Sequence, residues 1–127
     1  MVAIESKTLR KSDYQGYVNN SISHDQYKHR MANDLFNNAD DKIKEYIKLN
    51  QQRMHRIEKT YAVSEVLTQQ LKRLMHKTYW LILTEHWCGD AAQTLPVFQK
   101  VADSSNGMIE MKLVYRDENP ALMDAYL

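Results

Sequence analysis

The most constraining feature of this sequence is a change of hydrophobic period near residue 79. The run Tyr79–Thr84 is continuously apolar, aromatic or β-branched, which is typical of a buried strand in a parallel sheet. A helical pattern follows it at Ala92, Leu95, Phe98 and Ala102. Asn106-Gly107 ends that helix, and Ile109–Tyr115 is a second predicted strand. Strands joined by a helix imply a parallel pair with a right-handed crossover.

The end of the chain and its composition also favour helices. Asn119-Pro120 opens a last predicted helix, with proline at the first helical position, where its missing N–H costs nothing. The chain has only three glycines and two prolines, which favours long helices over turn-rich β architecture. Its formal net charge is +1, so we expect neither nucleic acid nor another strongly charged partner.

The first half of the chain predicts helices. Residues 1–22 are polar and poorly patterned, as in a partly ordered arm. Ser23 and Gln26 form a potential capping box for a first helix, and Asn37-Asn38 is a plausible break. From Asp41, apolar or inward-facing residues recur at helical spacing: Ile43, Tyr46, Ile47, Asn50, Met54 and Ile57. Residues 1–58 are therefore predicted to be an N-terminal helical extension.

The segment between the extension and the predicted sheet is less strongly patterned. Residues 59–63 could form a short strand, and Ser64 is a good N-cap for a third helix. The residues expected on the inner face of that helix are Leu67, Leu71, Leu74 and Met75.

The single cysteine, Cys88, excludes an internal disulfide. We find no signal-like apolar run near the N-terminus and no stretch of the ~18 apolar residues that a membrane helix needs. We therefore expect a reducing compartment, the cytoplasm, and no membrane partner. The five histidines show no tight metal-ligand spacing, so neither a metal nor a cofactor is expected.

Cys88 lies where the predicted strand Tyr79–Thr84 gives way to a helix. The first N–H groups of a helix lack internal partners and favour negative charge, so a thiolate, the nucleophilic form, is stabilised there. Asp90 opposes this effect, and His86 would assist only if it were protonated and suitably oriented. The alternative from position alone is that Cys88 is a small buried hydrophobic residue.

Trp87-Cys88-Gly89 resembles the active-site signature of the thioredoxin family, tryptophan–cysteine–glycine–any–cysteine. Pro96, eight residues after Cys88, matches a proline that thioredoxins keep in the active-site helix. The segment Tyr115–Pro120 resembles the residues after the third thioredoxin strand, and Trp80–Gln93 is similar to a bacterial group with a helical N-terminal extension. The resemblance implies an α/β thioredoxin-like fold over residues 59–127, in β-α-β-α-β-α order, after the extension 1–58.

The departures from the family pattern bear on function. Ala91 stands where the resolving cysteine would be, and Ile82 stands where many thioredoxins have a buried aspartate. The resemblance also implies a cis-proline loop, a hairpin and a final helix after Leu127, so we expect a fold that is incomplete at its C-terminal end. An exposed sheet edge would result, and we expect self-association through it or marginal stability.

The resemblance implies a site formed by Cys88, Trp87, Gly89 and Asp90. In a monothiol redox protein, Cys88 would form a mixed disulfide with a protein or a low-molecular-weight thiol, and an external thiol such as glutathione would release it. Alternatively, the chain is a non-catalytic binding or scaffold module that acts through the extension. A third hypothesis is a peroxide-sensing cysteine that forms a sulfenic acid.

Overall fold

The computed structural model describes residues 9–126 and contains, within that range, six α-helices and two β-strands. The helices are α1 (Lys11–Asn19), α2 (His24–Asn37), α3 (Asp41–Thr60), α4 (Glu65–Leu71), α5 (Gly89–Asp103) and α6 (Pro120–Ala125). The strands are β1 (Thr78–Thr84) and β2 (Ile109–Tyr115). A 3-10 turn, Arg116–Glu118, links β2 to α6. Residues 1–8, the first part of the predicted polar arm 1–22, are outside the described range.

The predicted helix starts are confirmed by their capping contacts. The backbone N–H of Gln26 donates to Ser23 Oγ at 3.1 Å, and Ser23 N–H donates back to Gln26 Oε1 at 2.9 Å, which completes a capping box. Ser64 Oγ likewise accepts from the N–H of Leu67 at 3.1 Å and opens α4. Pro120 is the first residue of α6, as predicted.

The strand predicted at residues 59–63 is wrong. Helix α3 continues to Thr60, and residues 61–64 have no regular structure. The carbonyls of Glu58 and Tyr61 are bound by the ammonium of Lys100 on α5, so side-chain contacts rather than a neighbouring strand satisfy the end of α3. The β-α-β-α-β-α order therefore lacks its first strand, and the fold is an incomplete thioredoxin-like one with two strands.

A smaller prediction also fails. The predicted inward positions Leu74 and Met75 of α4 lie beyond its end at Leu71, and both side chains are exposed. The polar segment before residue 22 contains the helix α1, in line with a helical extension.

The two strands form a parallel pair that α5 connects. The register runs from Thr78 opposite Ile109 to Thr84 opposite Tyr115. The outer edge of β2 is contacted by Ile22, whose backbone exchanges two 2.9 Å hydrogen bonds with Leu113. The segment before α2 therefore covers part of one sheet edge.

The core joins the helices of the first half to the sheet. Ile47 of α3, Leu95 of α5 and Leu113 of β2 are each at most 1% exposed and belong to one apolar cluster. Helix α5 contacts α3 more extensively than any other helix. The extension and the strand–helix–strand unit therefore share a continuous core. In the part of the chain described here, no helix is long and apolar enough to cross a membrane.

His24 is buried without a hydrogen-bond partner for either ring nitrogen among residues 9–126. Burial lowers its pKa below the ordinary value, and nearby Lys28 acts in the same direction while Glu58, 3.7 Å away, opposes both. The folded chain therefore disfavours the protonated ring. We therefore expect neutral, buried His24 to contribute fully to the free energy of unfolding above about pH 6.5. That contribution should be lost as the pH falls through the lowered pKa of His24 in the folded state.

Urea unfolding of His24→Leu and wild type at several pH values between 4.5 and 7.5 measures this contribution. The leucine variant should lose less stability than wild type on acidification. His76→Leu, which changes an exposed histidine, serves as the control and should follow the wild-type profile. Parallel profiles for wild type and His24→Leu would contradict the expectation.

Candidate functional site

Cys88 is the N-cap residue of α5 and lies in an open cleft. Its backbone is extended (φ −77°, ψ 116°), and its half-buried side chain makes no capping hydrogen bond. The unpaired N–H groups of the first turn of α5 therefore remain near the thiol. The structure brings the four sequence-predicted site residues together, because Trp87, Cys88, Gly89 and Asp90 all line this cleft.

The opposite wall of the cleft comes from α3, in the helical extension. Its residues are Tyr46, Leu49 and Arg53. A Cβ atom added to Gly89 would lie 3.0 Å from Arg53 Nη1, so the guanidinium passes directly over this glycine. A side chain at position 89 would require the end of the Arg53 side chain to shift by a few tenths of an ångström.

A buried amide fixes both the arginine and the loop before Cys88. Asn50 is 1% exposed, and its Oδ1 accepts a 3.0 Å hydrogen bond from Arg53 Nη1. Its Nδ2 donates to the backbone carbonyl of His86 at 3.0 Å. One side chain of α3 therefore positions a cation and the backbone two residues before the thiol.

A second residue of the extension, Tyr27 of α2, binds the same loop. Its hydroxyl donates to the carbonyl of Glu85 at 3.0 Å and contacts Thr84 Oγ1 at the same distance. Burial raises the pKa of Tyr27 to about 12, so the hydroxyl stays protonated and acts as a donor. Side chains of the extension therefore donate hydrogen bonds to two successive carbonyls of the loop before Cys88, those of Glu85 and His86.

The side chain of His86 is hydrogen-bonded away from the thiol, to Asp34 and Tyr115. Its Nδ1 lies 2.7 Å from Asp34 Oδ2, and its Nε2 lies 2.6 Å from the hydroxyl of Tyr115. Burial tends to raise the pKa of Asp34, but the hydrogen bonds with His86 and Asn38 outweigh burial and lower it. Because both ring nitrogens are engaged, His86 positions the loop and is not available as a base for the thiol.

Charges of both signs surround the thiol. Asp90 is exposed in the first turn of α5, and the Arg53 guanidinium stands across the cleft. Arg116 lies over the indole of Trp87, with 5.6 Å between the guanidinium carbon and the ring centroid, and Trp87 keeps 40% of its surface exposed. The cleft therefore has the Asp90 carboxylate and the Arg53 guanidinium in its lining, and a second guanidinium, that of Arg116, lies on the Trp87 ring.

The positions that depart from the thioredoxin signature are packed into the protein. Ala91 is buried at the start of α5, and Ile82 is partly buried against the core. Since the whole sequence has one cysteine, no second thiol of this chain can reach a disulfide formed at Cys88. Release of such a disulfide requires a thiol from another molecule.

Sequence reasoning missed the contribution of α3 to the site. Asn50 belongs to the predicted inward-facing stripe of that helix, but the sequence pattern assigns neither Asn50 nor Arg53 to the site. A polar amide among apolar positions of one helix face is the available signal, because a buried amide must find hydrogen-bond partners. Sequence alone could not show that its partners are the carbonyl of His86 and the side chain of Arg53.

Comparison with known proteins gives one result. The sequence model of a family described as thioredoxin matches residues 36–127, most of the chain. The match begins before α3, so it includes the helix that lines the cleft as well as the strand–helix–strand unit. No curated protein and no solved structure matches the chain.

Proposed function

This chain belongs to the thioredoxin family, and from that premise we propose that it carries out monothiol disulfide exchange at Cys88. The observation that carries the proposal is the position of Cys88, half-buried at the N-terminus of α5 in an open cleft. A thiol in this position is accessible to a partner, helix N-termini in general favour negative charge, and Arg53 lines the same cleft.

The proposed exchange has two steps. The Cys88 thiolate attacks one sulfur of a partner disulfide, forms a mixed disulfide and releases the other partner sulfur as a thiolate. An external thiolate, from a protein or a low-molecular-weight thiol, then attacks the partner sulfur of the mixed disulfide and releases Cys88 as a thiolate. Each step converts one thiolate and one disulfide into another thiolate and another disulfide, so there is no net oxidation. The reducing cytoplasm would supply the external thiol.

The exchange is tested by mass spectrometry with a small disulfide. Incubation with oxidised glutathione should add one glutathionyl group at Cys88, and reduced glutathione should remove it. Cys88→Ser should form no adduct.

Alkylation rates provide a second test. Iodoacetamide at pH 7 should label Cys88 faster in the folded chain than in the urea-unfolded chain, since only folding creates the helix N-terminus. Faster labelling of the unfolded chain would contradict an activated thiol.

The role of Arg53 can be separated from that of the thiol by the charge of the alkylating reagent. We expect Arg53→Gln to slow labelling by anionic iodoacetate about two- to fivefold more than labelling by neutral iodoacetamide, as loss of one nearby half-buried charge implies. Arg56→Gln removes an exposed charge from the same helix and should leave the ratio unchanged. An equal ratio in wild type and Arg53→Gln would exclude Arg53 as an anion-attracting residue.

The alternative proposal is a binding module without exchange chemistry. It is favoured by Tyr46 and Leu49, two exposed apolar side chains of α3 that line the cleft, and by the absence of a second thiol. For such a module, we expect Cys88→Ser to leave partner binding unchanged. We expect Leu49→Lys to abolish partner binding.

A further inference from the structure

One outward face of α3 runs past the cleft that contains Cys88. Its residues recur at spacings of three and four, which places them along one side of the helix: Lys42, Tyr46, Leu49, Arg53 and Arg56. Arg53 is half-buried and the other four are exposed. The buried residues of the helix, such as Ile47 and Met54, lie on the opposite side. We call the five outward residues the α3 stripe.

The centre of the α3 stripe is apolar and borders the thiol. Tyr46 and Leu49 line the cleft of Cys88 together with Trp87. These three large apolar side chains are 46%, 41% and 40% exposed. Exposed apolar side chains that converge on one place mark a surface that another molecule can cover. An apolar side chain of a partner would remove all three from water beside the thiol.

The ends of the α3 stripe are basic. Lys42 stands at one end and Arg53 and Arg56 stand at the other, whereas the same face carries one carboxylate, that of Glu45. No ion pair within residues 9–126 includes Lys42, Arg53 or Arg56. The whole chain has a formal net charge of +1, so this excess of cations is local. Acidic groups of a partner complement it.

The length of the α3 stripe indicates the size of the partner segment. Lys42 and Arg56 are separated by about 21 Å along the helix axis, a distance that an extended segment covers with about six residues. Both residues lie outside the lining of the cleft. A small disulfide at Cys88 therefore does not reach both ends of the stripe, whereas an extended protein segment does.

Asp90 determines on which side a partner's acidic residues lie. It is exposed in the first turn of α5 and lines the cleft across from α3. A carboxylate of the partner is repelled by Asp90 and attracted by Arg53, because the two groups carry opposite charges. The two walls of the cleft thus direct acidic residues toward α3.

We propose that the disulfide partner of Cys88 is an extended protein segment that binds along the α3 stripe, with an apolar residue beside its cysteine and acidic residues toward both ends. The apolar residue packs on Tyr46, Leu49 and Trp87, and the acidic residues pair with the cations at the ends of the stripe. This inference rests on the proposed exchange at Cys88 and names its substrate class.

Peptide disulfides with a coloured leaving group test the substrate class. Each peptide has one cysteine joined to nitrothiobenzoate. Attack of the Cys88 thiolate on the peptide sulfur forms the mixed disulfide and releases nitrothiobenzoate as a coloured thiolate. The first peptide has leucine beside the cysteine and glutamate toward both ends, the second has lysine in place of glutamate, and the third has serine in place of leucine. Each rate is divided by that of free N-acetylcysteine with the same peptide, which corrects for the reactivity of the disulfide itself.

We expect the glutamate peptide to react about tenfold faster than the lysine peptide at low ionic strength, and added salt to reduce this ratio. The leucine peptide should react faster than the serine peptide. Lys42→Gln and Arg56→Gln together should lower the glutamate-to-lysine ratio to about threefold. Lys48→Gln removes an exposed cation that lies about 100° around the helix from Leu49, so it is the control and should leave the ratio unchanged. Circular dichroism checks that the variants fold.

The outcomes separate the substrate class from the exchange itself. If all three peptides release nitrothiobenzoate at equal corrected rates, exchange stands and the substrate class is wrong. The same conclusion follows if the mixed disulfide of glutathione and nitrothiobenzoate reacts as fast as the glutamate peptide, or if the double variant keeps the full ratio. If no peptide releases nitrothiobenzoate although iodoacetamide labels Cys88, the proposed exchange is wrong, and the substrate class with it.

Discussion

Replacing Ile47 with alanine is expected to lower the free energy of unfolding of the whole chain by about 2 to 5 kcal/mol. The side chain is fully buried in the cluster that joins the extension to α5 and the sheet. Truncation removes apolar contacts and leaves a cavity that close-packed neighbours fill only in part. If the extension were an independent arm, the same change would leave the rest of the chain unaffected.

Tryptophan fluorescence distinguishes these outcomes, because both tryptophans, Trp80 and Trp87, lie outside the extension. Urea unfolding of Ile47→Ala should show one transition at a lower midpoint, with circular dichroism and fluorescence coinciding. Leu49→Ala, at an exposed position on the same helix, is the matched control and should shift the midpoint much less. An unchanged fluorescence transition in Ile47→Ala would show that the extension and the sheet unfold independently.

Replacing Asn50 with alanine is expected to destabilise the chain by about 1 to 3 kcal/mol and to loosen the loop that carries Cys88. The variant loses the amide that donates to the buried carbonyl of His86, and it frees Arg53 from its contact with Oδ1. Most of the expected loss in the free energy of unfolding comes from leaving a buried carbonyl without a hydrogen-bond donor. The advantage in labelling rate that folding gives Cys88 should therefore shrink.

Two measurements on the Asn50 variants separate stability from the site. Urea melts give the change in unfolding free energy, and iodoacetamide labelling at pH 7 in the absence of urea reports the site. Asn50→Asp keeps the acceptor for Arg53 but lacks the donor to His86, so it should perturb the loop as alanine does. Gln52→Ala, an exposed amide on α3, should change neither quantity. If Asn50→Ala behaves like Gln52→Ala, Asn50 does not position the loop.

Much of the fold could be predicted from local patterns. The apolar run of β1, the cap at Ser23, the proline opening α6 and the stripe on α3 each act over a few residues, so the sequence reveals them directly. The failed strand at residues 59–63 shows the limit of such patterns. In the structure α3 continues into that segment, and Lys100, some 40 residues away, binds the carbonyls at the end of α3, a contact that a local pattern does not reveal.

The candidate site divides in the same way. Trp87-Cys88-Gly89-Asp90 are contiguous, so the sequence located them and the structure brings them into one cleft. The other wall could not be predicted, because Tyr46, Leu49 and Arg53 reach it through the packing of α3 against α5. The orientation of His86 could not be predicted either, because it is fixed by Asp34 and Tyr115, which bind its two ring nitrogens and are distant in sequence. The division of the chain at residue 58 stays a prediction.

The strand–helix–strand unit, the family and the position of Cys88 at the start of α5 can all be inferred from the sequence. These features follow from hydrophobic period and short motifs, which are local properties of a chain. Tertiary structure alone decided that helix α3 forms half of the cleft and that Asn50 and Tyr27 hold the loop before Cys88. The physical reason is that buried carbonyls must find donors, and which donor each finds depends on how distant helices pack.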